Sequence, residues 1–119
     1  NKGRVIGGTT VGGILGMVYG GTTEANITNN YNVGLIEIEG EVKNVGGAIG
    51  GIQTSDKITA SNNYYLEGVV TENGAYTQGT PMNETDMKAE QFVTDLNDDG
   101  VAGNDAWEKT SGYPKLIGM

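Results

Sequence analysis

The chain of 119 residues carries 15 acidic against 7 basic side chains, a formal net charge of −8 at pH 7 with a pI near 4.3; a field of that sign repels phosphate backbones and anionic headgroups, which argues against nucleic acid and membrane surfaces as partners. Cysteine and histidine are both absent, so disulfide frameworks, thiolate or imidazole metal sites and His-based catalytic triads are excluded. Glycine supplies 21 residues and proline only 2, against a usual glycine share of roughly 7 %, and the short runs of Val, Ile and Tyr predict a folded, strand-rich chain.

The chain opens at Asn1 within a Gly-rich pattern, with neither a signal peptide nor a run of about 18 apolar residues, and is expected to be a piece of a longer protein. Residues 3–5 read as the end of an earlier repeat copy. The segment VGGILG at 11–16 returns as VGGAIG at 45–50, 34 positions later, and ITNNYN at 27–32 returns as ASNNYY at 60–65, with the NNY core offset by 33. Between these blocks, residues 35–42 (LIEIEGEV) alternate apolar and acidic side chains, the period of a half-buried strand. Their shorter counterpart is LEGVVTE at 66–72. Glycine interleaved with large apolar residues weakens an isolated strand, but it suits a stack in which neighbouring backbones approach closely and each unit buries its apolar face on the next.

These features predict an all-β fold: a short parallel β-helix or β-solenoid of Gly-rich repeats over residues 1–76, with copies near 11–44 and 45–72. Equivalent residues, such as Ile14 and Ile49 or Tyr31 and Tyr64, should lie together in adjacent copies. Asn29 with Asn30, and Asn62 with Asn63, read as a structural corner or amide ladder, since Asn tolerates left-handed backbone and stacks its amides. Tyr31, Tyr64 and Tyr65 beside them read as packing residues with a polar tip.

VGGILG followed by ITNNYNVG, with VGGAIG and ASNNYYLEG as a second copy, resembles the GLUG repeat of bacterial surface proteins over roughly the first 70 residues. That resemblance implies a β-helix-like stack of the kind found in long adhesins and beside the catalytic part of some immunoglobulin-A-specific metallopeptidases. The catalytic part itself is not in this chain, which has no His for an HExxH site.

Beyond Pro81 glycine thins out. Residues 77–119 are expected to form a C-terminal cap segment, with a short helix near 84–96 in which Met87, Phe92, Val93 and Leu96 share a face. Asn83 or Thr85 would serve as its N-cap. Trp107, Tyr113, Pro114, Leu116 and Ile117 add bulk, and this tail would cover the open end of the stack, where rungs and edges are otherwise exposed. After the helix, Asp95, Asn97 and Asp99 precede Gly100 in the manner of an EF-hand calcium loop. The closing bidentate Glu is missing: its position is Ala106, with Asp105 one residue early and Glu108 two late. The segment reads first as a solvated acidic turn and second as a weak calcium site of Asp95, Asn97, Asp99 and Asp105, with Asp98 as a further ligand.

The expected function is that of a non-catalytic structural or adhesive repeat module of a larger bacterial surface protein, secreted or anchored at the cell wall. Its expected partners are host or cell-surface proteins or glycans and the neighbouring repeats of its parent chain. Two alternatives compete. One is a weak calcium-binding module; the other is a fragment of a β-helix carbohydrate-active enzyme, whose acids would be sought at Glu37, Glu39 and Glu41. Alternating Glu on a strand is more simply its solvent face.

Overall fold

The structure, a computed structural model, describes residues 1–19, 23–41, 44–53, 56–70, 79–98, 103 and 105–119. Strands predominate, and they pair in small parallel sets. β1 (Val5–Gly7), β2 (Thr10–Gly12), β3 (Leu15–Val18) and β4 (Ala25–Asn32) form a first set. A second consists of β5 (Ile36–Ile38), β6 (Asn44–Gly46), β7 (Ile49–Ile52) and β8 (Ile58–Leu66). Each strand of the first set lies parallel to its counterpart in the second: β1 with β5, β2 with β6, β3 with β7 and β4 with β8.

The register follows the internal repeat. Val11 stands opposite Val45, Gly12 opposite Gly46 and Tyr31 opposite Tyr64. The expected pairing of Ile14 with Ile49 is displaced by one residue: Ile49 faces Leu15, while the Ile14 N–H donates to the Ala48 carbonyl at 2.9 Å. Val70 bridges Ile36 in parallel on the side away from Val5, so a third layer begins there. Inside these layers Val11, Ile36 and Val45 form a buried cluster, with Val5, Ile38 and Val70 packed around it.

The two glycines of each VGG block have separate steric reasons. A Cβ on Gly12 would lie 2.1 Å from the Leu15 carbonyl oxygen, and one on Gly46 would lie 1.8 Å from that of Ile49; the chain turns back on itself too tightly for any side chain. The second glycine makes room for the residue that follows NNY. A Cβ on Gly13 would meet the Asn32 amide, and one on Gly47 the Tyr65 ring, each at 2.1 Å. Asn32 is wholly buried and its amide is saturated. It donates to the Gly34 and Gly47 carbonyls at 3.0 and 2.9 Å, and accepts from the Gly34 N–H at 2.9 Å and from Asn1 Nδ2 at 3.0 Å.

The NNY segments bend in matching places. Asn29 and Asn62 take left-handed backbone, φ 59° and 53°, and each drops out of the ladder while the residues on either side stay paired. Asn supports this conformation better than other side-chain-bearing residues. Next to them Asn30 Nδ2 donates to Asn63 Oδ1 at 3.0 Å, and Asn63 Nδ2 to the Ile27 carbonyl at 2.7 Å, an amide rung between the copies.

The tail contains β9 (Thr80–Met82), α1 (Glu84–Met87), α2 (Glu90–Leu96), and an antiparallel pair, β10 (Trp107–Glu108) with β11 (Lys115–Leu116). Where one helix was expected near 84–96 there are two, separated at Lys88 and Ala89. Asn83 caps the first, its side chain accepting from the Asp86 N–H at 2.8 Å. Among the described residues no helix is long and apolar enough to cross a membrane.

β9 adds in parallel to β8, giving the order β4-β8-β9. The helices lie against this sheet, Phe92 reaching both Tyr31 and Tyr64. Asn32 points inward to the glycines, so the alternation of the strand sends Tyr31 outward. The tail covers this aromatic face, with Tyr31, Met87, Phe92 and Leu96 as a second buried cluster.

Candidate functional site

The tail is fastened to the first NNY corner as well as to the second. Phe92 meets Tyr31 and Tyr64 edge-on, at centroid distances of 5.6 and 5.1 Å. Tyr31 also packs on Trp107 at 5.2 Å and on Tyr113 at 6.3 Å, and its hydroxyl donates to the buried Pro114 carbonyl. Burial, and secondarily the Tyr113 phenol, raises the pKa of Tyr31; burial, followed by the Asp95 and Asp98 carboxylates, raises that of Tyr64. Lys88 pairs with Glu84 and lies 4.9 Å from the Tyr113 ring centroid, joining α1 to the turn before β11.

Of the expected calcium ligands, Asp95, Asn97 and Asp105 fall within the described residues. Asn97 ends α2 and spends its amide on the backbone: Oδ1 accepts from the Ala106 and Trp107 N–H groups at 3.0 and 2.8 Å, and Nδ2 donates to the Trp107 carbonyl at 2.9 Å. Asp95 accepts from Gln91 Nε2 at 2.9 Å, one turn back on the same helix. Asp105 is exposed, and Asp99 lies outside the described residues. Among those described, no three acidic side chains converge as a metal would require. Asn97 splices α2 to β10.

Glu37, in β5, forms a surface pair with Arg4 at 3.3 Å, while Glu39 and Glu41 lie beyond the end of β5 and are exposed.

The splice creates a cleft of about 360 Å³ where the tail meets the first corner. Thr28, Asn29 and Asn30 line one side of it; Leu96, Ala106, Trp107 and Leu116 line much of the other, with Asn97 between them. Trp107 is held by its Nε1, which donates to the Asn29 carbonyl at 3.1 Å. Asn29 Oδ1 is buried without a hydrogen-bond partner among the described residues, an uncommon state for a polar atom. The equivalent amide in the second copy is engaged, Asn62 Nδ2 donating to the Asp98 carbonyl at 3.5 Å.

No family model, curated protein or solved structure matches the chain. The cleft itself was not anticipated from sequence. Its signals were the left-handed Asn29 and the single Trp, residues far apart in the chain that only the docking of the tail brings together.

Proposed function

We propose that the chain is a short β-solenoid of GLUG-type repeats, acting as a non-catalytic structural and adhesive module of a larger extracellular bacterial surface protein. The observation that carries this reading is the parallel pairing of equivalent residues, Val11 with Val45 and Tyr31 with Tyr64, the arrangement in which each repeat supplies the burial that its neighbour cannot supply alone. The glycines and Asn32 serve close backbone approach, a structural duty. Glu37 is spent on a surface pair with Arg4, and Glu39 and Glu41 are exposed, whereas glycoside hydrolysis works from a shaped, water-excluding pocket.

Two measurements test the reading. Cysteines placed at the paired positions Asn26 and Thr59 should close a disulfide readily in the oxidised protein, because adjacent parallel strands bring Cα atoms within bridging range; failure to close would remove the stack. Beads coated with the protein should be retained on host-cell layers or matrix coatings above an equally acidic control. Absence of retention, or turnover of a glycan panel that Glu37→Gln abolishes, would replace the adhesive reading.

A further inference from the structure

We infer that the cleft between the Thr28–Asn30 corner and the tail binds a neutral saccharide, seating an apolar sugar face on Trp107 and meeting its hydroxyls with Thr28 and Asn29. The inference builds on the reading of the chain as a binding module and names the chemistry of its partner.

The lining is two-sided. Trp107, Leu96 and Leu116 supply apolar surface, and Thr28, Asn29 and Asn30 supply a hydroxyl and amides. Among the described lining residues none is charged. A ligand matched to such walls is uncharged, with one C–H-rich face and a rim of hydroxyls, which describes a sugar ring. Aromatic faces carry negative quadrupole density and favour the weakly positive C–H groups of that face. Trp107 is already fixed by Asn29 and Tyr31, so little side-chain freedom is lost on binding. A net charge of −8 disfavours anionic glycans. The cleft lies near the lower end of the ~300–1,000 Å³ range of small-ligand pockets.

The repeat supplies an internal control. Asn62, in the second copy, spends its amide on the end of α2, whereas Asn29 Oδ1 has no donor among the described residues. Asn29 lines the cleft, so its amide is placed to meet a ligand hydroxyl there. Asn30 is committed to Asn63 and the Thr28 carbonyl, so among the described residues Thr28 and Asn29 are the side chains left to meet a ligand on that wall.

Trp107 is the only tryptophan, so its emission reports on the cleft directly. Maltose, cellobiose and lactose are titrated into the whole chain to tens of millimolar, with digalacturonate and cyclohexanol as controls, and the backbone amide NMR signals of Thr28 and Asn29 are followed in parallel. At least one neutral disaccharide should give a saturable response, and the controls none. Asn29→Gly keeps the left-handed backbone without strain and should weaken binding about tenfold, the value of one hydrogen bond, at an unchanged melting temperature. Silence to all three sugars in both signals overturns the proposal, as does an equal response to digalacturonate or cyclohexanol, or wild-type affinity in Asn29→Gly. Bead retention without sugar binding would leave the adhesive reading standing and sink this one; sugar binding without retention would do the reverse.

Discussion

Phe92→Ala tests whether the tail and the repeats are one cooperative unit. Phe92 is 1 % exposed and touches both NNY tyrosines edge-on. Truncating a buried Phe costs about 3–5 kcal/mol, of which each ring pair accounts for about 0.5–1.5 kcal/mol. Against a domain stability of about 5–15 kcal/mol, that is a large share. At about 4 °C per kcal/mol for a chain of this length, melting should fall by about 12–20 °C. The assay combines thermal melts followed by Trp107 emission, which senses the tail, with hydrogen exchange of the β4 and β8 amides, which senses the repeats. Both should lose stability together, in a single transition. An early loss of the Trp signal while β4 and β8 keep wild-type protection would show that the tail is an independent appendage and that covering Tyr31 and Tyr64 contributes nothing to the stack.

Gly46→Ala forces a Cβ onto the Ile49 carbonyl and should cost at least about 3 kcal/mol in urea unfolding or abolish soluble expression, whereas Gly40→Ala, at φ +91° with open space around it, should cost about 1–2 kcal/mol; equal costs would discredit the close-approach argument. Asn97→Ala leaves two backbone N–H groups and a carbonyl without their partner and should destabilise by about 1–3 kcal/mol, equally in chelator and in millimolar calcium, while a loss seen only with calcium would favour the metal reading. At high pH the two NNY tyrosines, Tyr31 buried and Tyr64 partly so, set the limit. Tyr31 and Tyr64 titrate above the ordinary 10.0 when folded, so the unfolded chain ionises first. Their contribution is therefore intact below pH 10 and is lost as pH rises through their folded values. Tyrosinate absorbance should show late-titrating tyrosines, one fewer in Tyr31→Phe, and one uniform step near pH 10 would contradict this.

The pairing register was legible in the sequence because it rests on local necessities that recur with the repeat. A turn that admits no Cβ demands glycine at 12 and 46; a left-handed bend favours Asn at 29 and 62; and two copies carrying the same requirements align only when stacked in parallel. The expected partner of Ile49 was one residue out: the 34-residue offset of the VGG blocks itself aligns Ile49 with Leu15 and Ala48 with Ile14, and the structure keeps that offset. The tail was legible only in part. Its helical face of Met87, Phe92 and Leu96 declared itself by spacing, yet not the surface it would cover, because the direction of Tyr31 depends on Asn32 being drawn inward by Gly13 and Gly47. The alternating oxygens of Asp95 and Asn97 likewise suggested an ion, but a side-chain amide serves a metal or a neighbouring N–H equally well in chemical terms. Which it serves at Asn97 was decided by the arrival of Trp107 beside it, and that arrival, with the cleft it opens against Asn29, exists only in three dimensions.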